Sequence, residues 1–267
     1  MTHVVVRNHY LALGAFMHAG PRTAKALGEI VVSNDARFPV GTAVTHRSPW
    51  ASEVAVDPAA LRPARLDDPL RHLGGALTAL TGLRAAGLRA GETVYVTGAA
   101  GGVGSAAGLV ARALGAGRVI GSSGSAAKVT ALTSELGYDA AFDHSAEPMA
   151  AALDRLGPPD VVFDTLGRVD DLVPAVGPGT RIALCGALAQ QLGGAADPRL
   201  DLNTVIFKRL SLLGFTGDPG LEADLDRFWP LPLPHTIVDG LAAGERALAD
   251  LVAGRHTGLV LVRAHSA

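Results

Sequence analysis

The sequence predicts an α/β protein in which a doubly wound parallel sheet accompanies a smaller, mostly β domain. Between residues 93 and 215, short apolar runs alternate with segments of helical periodicity. A glycine-rich turn joins the first of these runs directly to a helix. The residues before 57 instead carry short β-like runs, Val4 to Val6 and Ile30 to Val32, and are broken by Pro39 and Gly41.

The alternating region is predicted to form the larger domain, residues 89–231. Its apolar runs, such as Val161 to Phe163, are short and uninterrupted, which is typical of strands covered by helices on both faces. Repeated alternation of strand and helix indicates a parallel, doubly wound sheet. The predicted strands cover 93–97, 118–122, 140–142, 160–164, 181–185 and 210–215, and the predicted helices cover 103–114, 126–136, 149–156 and 170–176.

The smaller domain is predicted to be discontinuous, with residues 1–88 joined by residues 232–267. Pro58, Pro63 and Pro69 indicate a linker, and a helix is predicted over 73–86, ending at Gly87. After a proline-rich segment, a helix over 244–253 and a strand over 258–262 are expected to return to the first part of the chain.

Composition excludes several classes of protein. The 267 residues carry a formal net charge of -2 without a basic cluster, which argues against a nucleic-acid partner. No apolar run reaches the roughly 18 residues that a membrane span needs, and the first residues do not resemble a secretory signal, so a cytoplasmic protein is expected. The single cysteine, Cys185, excludes an intramolecular disulfide and a four-thiolate zinc site, and no metal site is predicted.

The glycine-rich turn has the spacing and context of a dinucleotide-binding motif. Gly98, Gly101 and Gly104 follow the strand over 93–97, and the helix that begins at Val103 comes at once. Glycines in such a turn let the backbone approach a pyrophosphate, and the helix N-terminus offers free N–H groups to the phosphates. A Rossmann-type domain is therefore predicted, with Gly98, Gly101, Gly102, Val103 and Gly104 in the cofactor site.

The end of the second strand favours NADP(H) over NAD(H). An NAD site places a carboxylate about twenty residues past the glycines, where it binds the adenosine ribose. Here that position holds Ser122 and Ser123, and Lys128 follows. Two hydroxyls and an ammonium group suit a ribose 2′-phosphate, and a solvated surface charge is the alternative interpretation of Lys128.

Several segments together resemble a known family. They are residues 95–105, 124–128, 136–139, 163–167, 185–187 and 208–215, with weaker similarity at 6–12 and 77–79. They resemble the zinc-independent medium-chain dehydrogenase/reductases, in the prostaglandin reductase/2-alkenal reductase branch. The resemblance implies a Rossmann domain with a GroES-like β domain, which we expect to be shortened here. It also implies a homodimer and NADPH-dependent reduction, without metal, of the C=C bond of an apolar α,β-unsaturated carbonyl substrate.

The resemblance extends the predicted site and also shows where this chain departs from the family. Tyrosines of relatives are replaced by Leu80 and Gln191, and family asparagines by Thr165 and His256. His144, Thr165, Gly186 and His256 complete the expected cofactor site. Tyr10 is the preferred donor to the substrate carbonyl, because a phenol donates a hydrogen bond at neutral pH, with His9 and Thr165 as further catalytic candidates. A structural role for each of these side chains is the alternative.

Two functions from different classes fit these observations. The first is an NADPH-dependent enone or enal reductase. The second is a redox-silent relative that acts as an isomerase or cyclase on a polyketide-like intermediate of natural-product biosynthesis, which the loss of the family tyrosines motivates. A non-catalytic NADPH-sensing or scaffold protein is the third alternative.

Overall fold

The computed structural model describes residues 4–18, 20, 22–192 and 199–265. The strands are β1 (Val4–Ala12), β2 (Thr23–Ser33), β3 (Ala43–Pro49), β4 (Glu53–Val56), β5 (Arg62–Pro63), β6 (Thr93–Val96), β7 (Arg118–Ser123), β8 (Ala140–Asp143), β9 (Val161–Asp164), β10 (Arg181–Leu184), β11 (Ser211–Gly214), β12 (His235–Asp239) and β13 (Leu259–Arg263). The helices are α1 (Pro69–Leu73), α2 (Ala76–Ala85), α3 (Gly102–Ala113), α4 (Ala126–Ser134), α5 (Met149–Leu156), α6 (Val169–Ala175), α7 (Leu188–Gln191), α8 (Leu202–Lys208), α9 (Glu222–Asp226) and α10 (Leu241–Val252).

The chain divides into two compact units. One comprises Met1–Gly74 with His235–Ala267, and the other comprises Gly75–Pro234. These bounds differ from the predicted domains mainly at residues 75–88, because α2 packs against α3, β9 and β10 of the second unit. The bounds of the functional domains stay a prediction.

The second unit is built on a six-stranded sheet of order β11-β10-β9-β6-β7-β8. Each neighbouring pair is parallel, which confirms the predicted doubly wound sheet. Strand β6 lies inside the sheet, with β7 and β8 on one side and β9, β10 and β11 on the other. The chain runs from β6 to β7 and β8 on one side and then crosses to β9, β10 and β11 on the other. This reversal of the strand order beside β6 opens a crevice at the carboxyl ends of the strands.

The core of this unit explains why its strands are so uniformly apolar. Tyr95, Ile120 and Val162 lie fully buried on adjacent strands, and the Tyr95 ring stacks on Phe142 at a centroid distance of 5.7 Å. Gly82 lets helix α2 pack closely against Phe215, since a Cβ at this position would come within 2.4 Å of the Phe215 ring. Side chains buried on this scale supply most of the stability of the unit.

The first unit is a seven-stranded sheet of order β12-β13-β1-β2-β3-β5, with β4 paired to β1. Its β character was predicted, but β2 extends well beyond the apolar run at 30–32 and β3 was not predicted, because polar residues alternate with buried ones in both strands. The predicted linker was wrong at Pro69, which begins α1. Gly74 and Gly75 interrupt the helix predicted over 73–86, so α2 is separate.

Several elements had no counterpart in the prediction, among them α7, α8, α9 and β12. Helix α8 is short and carries apolar residues on its exposed surface, so it has no amphipathic signal. Strand β12 follows the proline-rich segment and pairs in parallel with β13. Within the described residues, no helix is both long enough and apolar enough to cross a membrane.

Candidate functional site

The glycine turn joins β6 to α3 at the carboxyl edge of the sheet. Gly98 has φ +57, a conformation that side chains rarely adopt, and a Cβ there would come within 2.6 Å of Thr165 Oγ1. Gly101 precedes α3 in an extended conformation and provides no side-chain cap. The first N–H groups of α3 therefore have no side-chain acceptor, which suits a bound phosphate.

Gly101 and Gly104 serve different purposes in this turn. A Cβ at Gly104 would lie 2.3 Å from the Gly98 carbonyl oxygen and 2.8 Å from Ala99 Cα, so the backbones of helix and turn touch. A Cβ at Gly101 would meet only the Gly98 oxygen, at 3.3 Å. Gly104 is thus required by the protein itself, whereas Gly101 leaves space that a ligand could fill. On the other side, Gly75 packs on Val103, where a Cβ would lie 2.6 Å from Val103 Cα.

The two serines at the end of β7 lie inside the protein. Ser122 is fully buried, and its hydroxyl is 2.9 Å from the Tyr95 hydroxyl in a side-chain hydrogen bond. Ser123 is 4% exposed. The expectation that Ser122 contacts a ribose phosphate is therefore corrected, because its side chain belongs to the core of the sheet. Ser123, at the very end of the strand, keeps its place in the predicted site.

Lys128 lies in the first turn of α4, directly beyond this strand end. Ser125 caps the helix by accepting a hydrogen bond from the Lys128 backbone N–H. Partial burial lowers the pKa of the Lys128 ammonium, and no carboxylate or carbonyl contacts it in the described part of the chain. An anion here would restore the favourable environment that the charge has lost. This is the environment expected of a phosphate-binding lysine.

His144 follows β8 and lies against the same loop. Its backbone N–H donates to the Ser123 carbonyl at 3.0 Å, and a Cβ at Gly124 would lie 3.3 Å from His144 Nε2. Burial, and then the charge of Arg168, lowers the pKa of His144. Its Nδ1 is buried without a hydrogen-bond partner among the described residues. His144 and Arg168 line a cavity of about 570 Å³ at the carboxyl edge of the sheet.

Asp164 organises the loop that follows β9, and sequence reasoning did not identify it. Its carboxylate is 1% exposed, and it accepts hydrogen bonds from Thr97 Oγ1 at 2.6 Å, Leu166 N at 3.1 Å and Gly167 N at 3.0 Å. Burial nevertheless raises its pKa above the ordinary value. The signal was a carboxylate within a strand that is otherwise apolar, since a buried charge requires partners.

Thr165 is held to the end of β6 by two hydrogen bonds. Its N–H donates to Thr97 Oγ1 and its hydroxyl donates to the Thr97 carbonyl, each at 2.8 Å. In this arrangement the Thr165 hydroxyl donates its hydrogen to the Thr97 carbonyl and not toward the substrate, so its role as a donor to the substrate stays a prediction. Its hydroxyl can still accept a hydrogen bond from a cofactor.

Gly186 and Cys185 close the carboxyl edge at β10. A Cβ at Gly186 would lie 2.8 Å from the Thr165 carbonyl oxygen, so the absence of a side chain lets the backbone at Gly186 lie close to the backbone at Thr165. Burial, and then the nearby Asp164, raises the pKa of the Cys185 thiol to about 12. A neutral, partly buried thiol is a poor nucleophile, which favours a packing role for Cys185 over a catalytic one.

The remaining predicted side chains lie in the first unit. Tyr10 is partly buried on β1, and the guanidinium carbon of Arg263 is 5.9 Å from its ring centroid. The pKa of Arg263 is raised, first through the Tyr10 hydroxyl and then by Asp239. A phenol that accepts from a guanidinium keeps its own proton for another acceptor.

Three histidines of this unit differ in the hydrogen bonding of their ring nitrogens. In the described part of the chain, the Nε2 atoms of His9 and His256 are buried without hydrogen-bond partners. Burial is the main cause that lowers the pKa of His9, and its Nε2 is 3.8 Å from Glu29 Oε2. His46 is 4% exposed, and its Nε2 pairs with Asn8 Oδ1 at 2.9 Å. His46 therefore has a structural role.

The second unit thus has a parallel sheet, an internal strand that leads through a glycine turn into a helix, and a free lysine beyond the next strand. This arrangement defines a Rossmann-type dinucleotide-binding protein. Within the described residues there is no group of three or more His, Cys, Asp or Glu side chains that could hold a metal ion.

Comparison with known proteins identifies the family. The family profile described as "Zinc-binding dehydrogenase" matches residues 102–230. Rat (Rattus norvegicus) prostaglandin reductase 1 is 33% identical over 79% of this chain and 71% of the relative. Tobacco (Nicotiana tabacum) 2-alkenal reductase (NADP(+)-dependent) is 28% identical over 97% of this chain and 86% of the relative. The chain therefore belongs to the medium-chain dehydrogenase/reductase family, in its branch of NADP(H)-dependent reductases.

Solved structures support the same fold. CurA from Vibrio vulnificus superimposes with a TM-score of 0.86 and 24% identity, over 99% of this chain and 90% of that protein. At this identity the likeness shows the fold alone. The prostaglandin reductase and 2-alkenal reductase relatives confirm the resemblance drawn from the sequence motifs at the level of family, cofactor class and oxidoreductase activity, and the solved structure confirms the fold.

Proposed function

We propose that this protein uses NADPH to reduce the C=C bond of an apolar α,β-unsaturated carbonyl compound, without a metal ion. The observation that carries the proposal is the glycine turn, because its geometry is intact while no carboxylate occupies the ribose position beyond β7. The names of the tobacco and rat relatives indicate reduction of alkenals and prostaglandins. Their shared chemistry supports an enal or enone as substrate class.

The residues of the second unit fit NADP(H). The N–H groups at the start of α3 would hold the pyrophosphate, and Lys128 would hold the ribose 2′-phosphate with Ser123 and His144 beside it. Gly186 and Thr165 would face the other half of the cofactor, and the cofactor-binding role of His256 stays a prediction. When bound, the cofactor supplies a hydride, and the protein must bind the carbonyl oxygen and provide a proton.

A direct assay tests the proposal. Purified protein is offered NADPH with a panel of enals, enones and quinones, before and after treatment with a metal chelator. We expect NADPH oxidation that depends on substrate and is unchanged by the chelator. Conversion of a polyene substrate with no change in nicotinamide absorbance would instead establish the redox-silent alternative, which the reductase names of the relatives above do not favour.

Replacement of Lys128 tests the cofactor preference. NADPH is expected to bind more tightly than NADH, because the ammonium has no other anion to contact in the described chain. Lys128→Ala should reduce this preference by about one to two kcal/mol, the scale of a charge-assisted hydrogen bond. Fluorescence titration with both cofactors measures it, and Lys128→Arg is the control that retains the charge. Equal affinities in the unmutated protein would contradict the assignment.

Tyr10 is proposed as the hydrogen-bond donor to the substrate carbonyl. The oxygen gains negative charge as hydride arrives, so removal of a donor costs roughly 3 kcal/mol, or about a hundredfold in rate. Tyr10→Phe is therefore expected to lower turnover by about this factor and to leave NADPH affinity unchanged. The same comparison on His9→Gln tests the second candidate. Full turnover by Tyr10→Phe would remove Tyr10 from the mechanism.

A homodimer is also proposed, with α8 and β11 at its interface. On α8, Leu202, Ile206 and Phe207 are 63%, 67% and 82% exposed. The adjoining β11 is an edge strand of the sheet, so its free backbone groups could pair with a second copy about a twofold axis. An exposed apolar patch beside an open strand edge is typical of an interface.

Phe207→Glu tests this interface. A carboxylate at a position that is 82% exposed should leave the fold of one subunit unchanged but is costly in an apolar interface. We expect a dimer for the unmutated protein and a monomer for the variant in sedimentation velocity, with equal far-UV spectra. Val40→Glu, at another exposed apolar position that is 63% exposed, is the matched surface control. A monomer before mutation would contradict the proposal. A cytoplasmic location completes the proposal and stays a prediction.

A further inference from the structure

Within the described residues, the side-chain amide of Gln190 makes a hydrogen bond through its nitrogen but not through its oxygen. Gln190 lies in α7, immediately after β10, and its Nε2 donates to the Gly167 carbonyl at 2.9 Å. Its Oε1 is buried and accepts no hydrogen bond from any residue that the structure describes. A buried carbonyl without a donor costs about 1–3 kcal/mol, so such an atom in a native protein calls for a ligand or water.

The surrounding backbone is shaped to keep this amide in place. Gly167 has φ +73, and a Cβ there would lie 2.7 Å from Gln190 Oε1. A second contact ties the same segments together, because the Ala189 N–H donates to the Leu166 carbonyl at 2.9 Å. Asp164 anchors the loop from its other end through the N–H groups of Leu166 and Gly167. The Oε1 atom is therefore fixed in space rather than free to rotate.

The position of Gln190 along the sheet indicates what donor it meets. The glycine turn follows β6, and the proposed 2′-phosphate site follows β7. A dinucleotide that binds its pyrophosphate and adenosine there must extend its other half over the ends of β9 and β10, on the opposite side of β6. Gln190 and Gly167 lie at those ends. The nicotinamide carboxamide is the group of that half that carries N–H donors.

We propose that Gln190 Oε1 accepts a hydrogen bond from the carboxamide N–H of the nicotinamide, and so fixes the rotation of the ring. The inference rests on the proposed function only in requiring that NADP(H) is the cofactor. Such a contact would make Gln190 a cofactor-binding residue that sets which face of the ring the substrate meets. It involves no bond making or breaking.

The experiment compares NADP⁺ with its 3-acetylpyridine analogue, which replaces the carboxamide by an acetyl group and so lacks the N–H donors. Binding is measured by calorimetry, without substrate. For the unmutated protein we expect NADP⁺ to bind about tenfold more tightly than the analogue, the worth of one hydrogen bond of about 1.4 kcal/mol. For Gln190→Leu we expect this ratio to fall to about one.

Controls separate this contact from a structural effect. Loss of the Nε2 bond to Gly167 weakens both cofactors equally and leaves their ratio unchanged, whereas loss of Oε1 changes the ratio. Gln190→Glu keeps an acceptor oxygen and should keep the ratio, and Gln191→Leu, at an exposed neighbouring position, should change nothing. If Gln190→Leu does not fold, Gln190→Ala, which also lacks the acceptor oxygen, is measured in its place and should likewise bring the ratio to about one.

Two results would overturn the inference while the proposed function stands. One is equal affinity of the unmutated protein for NADP⁺ and the analogue. The other is a ratio that survives in Gln190→Leu. By contrast, an unmutated protein that binds neither nucleotide contradicts the proposed cofactor, and the inference falls with it.

Discussion

Gly104→Val is expected to abolish both cofactor binding and a large part of the stability of the second unit. A Cβ at this position would lie 2.3 Å from the Gly98 carbonyl and 2.8 Å from Ala99 Cα. Both are backbone atoms of the turn, so neither can rotate away. Overpacking of this kind costs about 3 kcal/mol or more, and the shift of α3 needed to relieve it would displace the N–H groups that face the pyrophosphate. Urea unfolding and NADPH titration measure the two effects.

Gly101→Ala is the matched comparison within the same turn. Its added methyl group would meet only the Gly98 carbonyl, at 3.3 Å, which a small adjustment relieves. We expect unfolding within about 1 kcal/mol of the unmutated protein, since only mild overpacking results, together with much weaker NADPH binding. A variant that loses stability without losing affinity would show that Gly101, too, serves packing alone.

The sequence predicted the second unit well because its signals are local. Each of its strands is a short apolar run bounded by a glycine, a proline or a charged residue, and the turn at Gly98 has a fixed spacing. The first unit was harder to predict. Strand β3 carries His46, Arg47 and Ser48 among apolar residues, and its stability comes from pairing with β2 rather than from its own pattern.

The candidate site was predicted in part, and the errors have a common cause. Glycines at Gly98 and Gly104 act through the backbone, which the spacing reveals. The direction of a side chain depends on the tertiary fold, so the sequence did not show that Ser122 points to Tyr95 or that Thr165 donates to Thr97. Asp164 was missed for the same reason, since its partners are distributed between β6 and the loop after β9.

Asp164→Ala is the second change for which a large effect is expected. Removal of the carboxylate leaves the N–H groups of Leu166 and Gly167 and the Thr97 hydroxyl without their acceptor inside the protein. With about 1–3 kcal/mol for each unsatisfied group, the free energy of unfolding should fall by roughly 3 kcal/mol or more. The loop that carries Gly167 would lose its anchor, so NADPH affinity should fall with it. Thermal and urea unfolding, with NADPH titration, measure both.

Asp164→Asn tests whether the cost of burying the charge of Asp164 or the hydrogen bonds to its ionised carboxylate has the larger effect on stability. The amide keeps the size of the side chain and one acceptor, but it cannot become charged. Burial raises the pKa of Asp164 in the folded protein above its ordinary value of 3.8. The folded state therefore binds more protons than the unfolded state, and the stability that this group contributes is greatest below pH 3.8 and is lost as the pH rises through the raised pKa. The advantage of the unmutated protein over Asp164→Asn should accordingly be larger at pH 5 than at pH 8 in urea unfolding. If the advantage were instead larger at pH 8, the three hydrogen bonds to the ionised carboxylate would outweigh the cost of burying its charge.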